Sequence, residues 1–296
     1  MNHVLTFDVE DWHVLAYRRV TGELGESSGA LQRQLDCVLA LLAEHETRAT
    51  FFVLGMAAEN CPALVRQIAA AGHEIASHGY SHVPVYRLSR DEFMADSRRS
   101  QRLLEDMIGK EIIGYRAAEF SIRSDSLWAL DVLAELGFRY DSSIFPVRHR
   151  RYGIHGFSSG VYRLASGASI VELPLATLRW ANWDFPAAGG GYFRLLPRRT
   201  IQAVLQKFCQ SARPAVTYFH PYEFDPRPLQ IFEGRAAKNA GAFLRGRWFQ
   251  FHQNLGRRSM PDKLRLLLER FRFVPCREFL QGESPIECRE LLSAAR

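Results

Sequence analysis

The sequence predicts an α/β protein with a parallel sheet at its centre. Three observations carry that reading. Short apolar strands alternate with amphipathic helices, the helices carry their own start and stop signals, and polar side chains gather where strands end. Residues 3–7 form the first buried strand and run into acids. Leu31, Leu35, Val38, Leu39 and Leu42 recur at helical spacing, so 30–45 is a helix with one buried stripe. The apolar run 50–54 is the second strand. Pro62 opens the next helix, where its missing N–H has no helical partner anyway, and Gly72 closes it. Strand 75–77 follows. Ser89 and Glu92 form a capping box, each side chain satisfying the other's backbone N–H, at the head of a helix that Gly109 ends. Then come strand 112–115, a helix over 125–136 stopped by Gly137, and strand 138–142. Strands 161–164 and 170–174, helix 198–211 and strand 215–219 continue the rhythm. Such a βαβα succession implies crossover helices between parallel strands, and both an open doubly wound sheet and a barrel satisfy it. In either, chemistry belongs at the carboxyl ends of the strands.

The composition agrees with a globular protein: 296 residues, 47% apolar and 24% charged, which excludes collagen-like and disordered classes. The net charge of +6 is unevenly held. Residues 227–277 contain 12 basic and three acidic side chains, and only four of the chain's 38 basic residues are Lys. Character changes with the charge: after residue 225, Pro, Arg and aromatics replace the regular alternation, with a helix over 261–270 and a strand at 271–275. The chain therefore divides into 1–225 and an Arg-rich extension, 226–296, packed against it. Cys37, Cys61, Cys209, Cys276 and Cys288 are odd in number and never spaced as CxxC, which argues for a reducing compartment. With no signal-peptide pattern and no apolar run near the ~18 residues of a membrane span, a soluble cytoplasmic protein is expected.

Four strand ends carry the chemistry. The first reads Phe7-Asp8-Val9-Glu10-Asp11-Trp12. A turn or helix cap explains one of its acids, but three in four residues repel unless a cation or a raised pKa relieves them. The second is His78-Gly79-Tyr80-Ser81-His82, whose imidazoles converge as metal ligands if the backbone takes a helical turn. Arg116 follows the third strand, where a surface salt bridge is the plainer reading. His220 follows the fourth, where alone it reads as a satisfied core histidine. Together they make the outfit of a metal-assisted hydrolase with a base and an acid.

These residues bring a family into view. The chain resembles the NodB-type polysaccharide deacetylases of carbohydrate esterase family 4, and within them the subfamily of exopolysaccharide and exosortase (PEP-CTERM) loci. The matching stretches are 5–12, 49–55, 72–82, 114–117, 140–146, 189–197 and 218–221, with 247–255 resembling that subfamily's C-terminal extension. The resemblance implies a distorted (β/α) barrel of about seven parallel strands with an α+β extension. It implies a divalent metal, Zn²⁺ being the expected ion, held by His78, His82 and a carboxylate. By position, Asp8 matches the general base, Arg116 the residue that orients it, and His220 the general acid. Asp141 is the candidate for the carboxylate that orients His220. Trp180 and Trp183, in a loop flanked by Pro and Gly, and Tyr222 are the remaining substrate-side candidates.

Two departures matter. Family members commonly carry adjacent acids in the first motif, whereas here Val9 separates Asp8 from Glu10. Alternation along a strand puts residues 8 and 10 on one face and favours Glu10 as the third ligand, with Asp11 the alternative. After Arg116 the usual Ala-Pro-Ser-Phe is Ala117-Ala118-Glu119-Phe120, which puts a negative charge near the mouth. Removal of N-acetyl groups from amino sugars of a polysaccharide is the leading expectation. An allantoinase-like cyclic amide hydrolase and a non-catalytic carbohydrate-binding barrel are the alternatives. The basic extension suggests an anionic membrane surface or lipid-linked precursor at the inner membrane face as partner, through Arg257, Arg258 and Arg265. Nucleic acid is disfavoured because no recognition motif accompanies the charge.

Overall fold

A computed structural model of the chain describes residues 1–149, 151–154, 157, 162–164, 170–180, 183–187, 189–232, 237, 239–282 and 286–288. The first half alternates as expected: β1 (Asn2–Val9), α1 (Trp12–Thr21), α2 (Ala30–Glu44), β2 (Thr50–Val53), α3 (Gly55–Asn60), α4 (Pro62–Ala70), β3 (Glu74–Ser77), α5 (Arg90–Ile108), β4 (Gly114–Tyr115), α6 (Trp128–Glu135) and β5 (Tyr140–Asp141). The second half contains β6 (Tyr162–Leu164), β7 (Ile170–Glu172), β8 (Thr177–Trp180), β9 (Trp183–Pro186), α7 (Gly190–Leu195), α8 (Arg198–Gln210) and β10 (Val216–Phe219). The extension adds α9 (Ala240–Asn254), α10 (Met260–Arg270), β11 (Arg272–Val274), α11 (Cys276–Gly282) and β12 (Ile286–Cys288).

The sheet follows the order β10-β1-β2-β3-β4-β5-β7, all parallel, which is the seven-stranded core of the expected barrel. Residues 3–9 of β1 are all buried, as a strand covered on both faces requires. Phe7 stacks on Phe51 at 5.1 Å and lies 6.0 Å from Phe219, tying three neighbouring strands through one aromatic layer. Between β7 and β10 the ladder is incomplete. There the Ala176 N–H donates to Val216 O (3.0 Å) and Gly189 bridges to Tyr218, which gives the barrel its distortion. The helix signals hold locally: the stripe of α2 is buried, and the Ser89–Glu92 capping box is present at the head of α5.

Several expectations need correction. β6 runs antiparallel to β7, because the five residues between them are too few for a crossover. Trp180 and Trp183 end β8 and begin β9, partners in an antiparallel hairpin rather than loop residues. The extension also does more than pack on the outside. β11 pairs with β1 in parallel, so that Val4 has Val216 on one edge and Val274 on the other. The Cys276 N–H then donates to Thr50 Oγ1 (2.8 Å) and the Arg277 N–H to Glu74 Oε2 (2.9 Å), which covers the starts of β2 and β3. Among the described residues, no helix is long and apolar enough to cross a membrane.

Candidate active site and metal centre

The carboxyl ends of β1, β3, β4 and β10 meet around a cleft of about 640 Å³ whose lining includes Asp8, Glu10, His78, His82, His220 and Tyr222. Along β1 and the residue that follows it, the alternation places Thr6, Asp8 and Glu10 on one face. Arg116, fully buried, donates from Nη1 to both Asp8 Oδ1 and Thr6 Oγ1 (2.7 Å each). Its Nε and Nη2 donate to the Ser142 carbonyl (3.0 Å) and hydroxyl (2.9 Å), and its guanidinium lies 4.0 Å over the Phe52 ring. A guanidinium fixed by five contacts presents one geometry to the carboxylate it pairs with.

The three donors Glu10, His78 and His82 are buried, with their ligand atoms all within 4.8 Å of one another. His82 Nε2 is 2.8 Å and His78 Nε2 3.8 Å from Glu10 Oε2. His78 Nδ1–H donates to the Arg116 carbonyl (2.8 Å), which leaves its Nε2 lone pair facing the cluster. Burial pushes the Glu10 pKa up, but His82, His220 and His78 outweigh it and bring it down to about 2. Burial also lowers the His78 pKa, so that its neutral, ligating form is favoured. Two imidazoles and a carboxylate at these separations are a donor set suited to a divalent ion.

The two histidines do not converge through a helical turn. Gly79 and His82 take left-handed backbone (φ 71° and 53°), folding residues 78–82 into a compact loop. The Asp96 carboxylate of α5 accepts from the backbone N–H groups of Tyr80 (2.7 Å) and Ser81 (3.1 Å). Arg18 of α1 donates to the Ser81 and His82 carbonyls (2.9 and 2.6 Å). Neither residue could be read as a support from sequence, since each lies more than a dozen positions from the loop.

Asp11 stands apart from the cluster, so the alternative ligand is corrected. Its Oδ1 caps α1 by accepting from the N–H of His13 (3.0 Å) and Val14 (3.4 Å), and its Oδ2 accepts from the Ser27 hydroxyl (2.6 Å). Asp141 is likewise corrected. It is fully buried and accepts from the Ser143 N–H (3.0 Å) and hydroxyl (2.6 Å), beside the serine that holds Arg116. Burial raises its pKa and raises that of neighbouring Glu172 well above the ordinary range. It therefore supports the Asp8–Arg116 side and has no surface to offer a substrate.

The group beside His220 is Glu223, which the sequence reading did not single out. Its Oε2 lies 3.9 Å from His220 Nδ1 and accepts from the His220 backbone N–H (3.1 Å). Arg194 of α7, 3.3 Å from Glu223 Oε1, fixes the carboxylate from behind. Burial pulls the His220 pKa down, but contact with Glu223 and the charges of Glu10 and Asp8 prevail and raise it to about 9. Tyr222 stacks on the imidazole (4.9 Å, 26°), and Trp12 is 6.1 Å from Tyr222. Glu119 lines the mouth as expected, in left-handed backbone (φ 54°) and paired with Arg151 at 3.5 Å. The side chains of Trp180 and Trp183 lie outside the described residues.

The fold is that of the NodB-type deacetylase barrel of carbohydrate esterase family 4. Residues 4–140 match the family model for polysaccharide deacetylase, and 142–281 match a domain of unknown function, DUF3473. The chain thus carries a polysaccharide deacetylase domain joined to a DUF3473 domain. It is 29% identical over 136 residues to a chitooligosaccharide deacetylase of Sinorhizobium fredii, covering 46% of this chain and 63% of that one. It is 36% identical over 72 residues to a peptidoglycan-N-acetylglucosamine deacetylase of Bacillus cereus, covering 24% and 26%. The chain spans from about a quarter to under two thirds of the length of these curated relatives. Among solved structures, a Mycobacterium smegmatis protein assigned as a polysaccharide deacetylase superposes with TM-score 0.63 at 22% identity, over 96% of this chain and 92% of that one. That likeness establishes the fold alone.

Proposed function

We propose that the protein is a metal-dependent N-deacetylase acting on amino sugars of a polysaccharide or of its lipid-linked precursor. One observation carries the reading: a buried His–His–Glu set shares a cleft with an Arg-held Asp and a Glu-flanked His. Glu10, His78 and His82 would hold the divalent ion, for which Zn²⁺ suits the donor set. When bound, such an ion supplies Lewis acidity to an acetamide carbonyl and makes water a better nucleophile. Asp8, kept in one orientation by Arg116 and Thr6, takes the proton of the attacking water. As the tetrahedral carbon collapses, the C–N bond breaks and His220 gives its proton to the departing amine, leaving acetate and a free amino sugar. Contact with Glu223 raises the His220 pKa and so favours the form that carries that proton. The ring wall of Trp12 and Tyr222 suits the face of a sugar, and Arg19, Arg87 and Arg151 at the mouth suit an anionic neighbour of the acetamide. An exopolysaccharide made at the cytoplasmic face of the inner membrane matches both features. The convergence of Glu10, His78 and His82 also weighs against a cyclic amide hydrolase working without the ion.

The test joins metal analysis to acetate release from chito-oligosaccharides, peptidoglycan and an acetylated exopolysaccharide. Stoichiometric metal, acetate from at least one of these, and loss of acetate in Asp8→Asn are expected. Metal-loaded protein that binds such a saccharide yet releases no acetate from any of them overturns the reading.

A further inference from the structure

Helix α9 is apolar on two faces, and only one of them is covered. The inner face is fixed in place. Phe249 stacks parallel on Trp12 (6.3 Å, 3°), and Gly246 sits so close to the Phe232 ring that a Cβ would lie 2.6 Å from it. Gln250 Oε1 accepts from the Ile231 N–H (3.0 Å), and Asn254 exchanges hydrogen bonds with both backbone groups of Leu229 (2.9 and 3.0 Å). Just past the helix, buried Arg257 donates to the carbonyls of Tyr222, Asp225 and Arg227. With these ties the helix has no freedom to roll.

Its outer face carries Leu244, Trp248, Phe251 and then Leu255, 67%, 69%, 57% and 37% exposed. Helical steps of four and three place Leu244, Trp248 and Phe251 in one line along the surface, and Leu255 follows just past the helix end. The Trp248 and Phe251 rings are 6.1 Å apart, so the line is a continuous strip rather than scattered side chains. Such strips rimmed by charge mark docking faces. Here the rim has one sign: Arg245 and Arg247 are exposed on either flank, Arg258 is exposed beyond the end, and residues 240–261 contain no Asp or Glu.

We propose that this face of α9 docks on an anionic lipid surface, with Trp248 and Phe251 in the headgroup layer and the arginines on lipid phosphates. Exposed Trp and Phe set among Arg is the arrangement an interfacial helix uses. A second copy of the chain is the weaker occupant. A two-fold contact would gather the arginines of both copies at one interface, with no carboxylate in residues 240–261 to pair them. Docking also has a direction, because Phe249 and Gln253 of the same helix line the catalytic cleft, and the lipid would lie beside its mouth. The proposal stands on α9 and does not depend on the deacetylase reading.

The test is co-sedimentation of the full chain with vesicles of phosphatidylcholine, with and without phosphatidylglycerol, alongside sedimentation equilibrium without lipid. Binding to the phosphatidylglycerol vesicles is expected, weakened more than about tenfold by Trp248→Ser/Phe251→Ser. Arg245→Gln/Arg247→Gln should remove the preference for the anionic lipid, and high salt should do the same. Unchanged melting temperatures, expected for exposed positions, show that both variants fold. Absence of binding to either vesicle, equal binding by the Trp248→Ser/Phe251→Ser variant, or a lipid-free dimer abolished by those substitutions overturns the proposal.

Discussion

At the scale of single residues, the site separates acids that look alike in sequence. Asp8, Glu10 and Asp11 occupy four positions, yet one pairs with Arg116, one joins two histidines and one caps a helix. Glu10→Gln is therefore expected to lose bound metal, while Asp11→Asn keeps it and lowers the melting temperature by an amount matching about 1 kcal/mol of lost capping. Metal analysis and thermal melts of the two variants check this, and retained metal in Glu10→Gln reverses the assignment. In the proposed reaction Glu223 acts through His220, so Glu223→Gln should reduce kcat by roughly 10²-fold with KM nearly unchanged, and Glu223→Asp should restore part of it. A fall confined to KM would assign Glu223 to substrate binding instead. Asp8, His78, Arg116 and His220 were legible as polar residues at strand ends, whereas the pairing of Arg116 with Asp8 was legible only through the family resemblance. Glu223 was legible in principle, since it lies three residues after His220, the spacing that identified Ser89 and Glu92. Arg194 was not, because nothing local shows that α7 delivers it to that carboxylate.

At the scale of elements, strands and single-striped helices read well because one buried face imposes one period. α9 escaped because apolar residues on two faces erase that period, and residues 78–82 were misread because left-handed residues bring His78 and His82 together without a helix. The start of β1 provides a pH test. His3 is enclosed by Phe271 and Phe273, its Nδ1 accepts from the Ala215 N–H (3.1 Å), and burial lowers its pKa to about 4. The folded state thus binds fewer protons there than the unfolded chain between about pH 6.5 and 4. This contribution to stability is complete above the upper value and is lost as pH falls toward the lower one. His3→Asn, whose amide oxygen can accept the same N–H, should flatten that part of the melting-temperature profile. A profile as steep as that of the unaltered chain would remove His3 from the account.

At the scale of the whole molecule, composition changes near residue 225, the two family matches meet between 140 and 142, and strand pairing crosses both positions. Met260, Leu264, Leu267, Phe273 and Phe279 are buried in the same core as β1 and β2. A chain ended at residue 225 lacks them, uncovers the core they pack against along with part of the β1 edge, and is expected to lose cooperative thermal unfolding in circular dichroism. A sharp transition in that shortened chain would show the first 225 residues to be self-sufficient. Of the basic extension, its charge, the helix over 261–270 and the strand at 271–275 were legible, but not the pairing of that strand with β1. Arg257 and Lys263 are buried and donate to backbone carbonyls, so Arg257 is a structural pin rather than a contact for an anionic partner, whereas Arg258 is exposed. The pairing of residues 2–4 with 272–274 also sets a timetable. At roughly 5–20 residues per second, a ribosome completes β11 from about a quarter of a minute to a minute after β1 emerges. For that interval the strand that bears Asp8 waits with part of one edge open, and its pairing is complete only once the extension has been made.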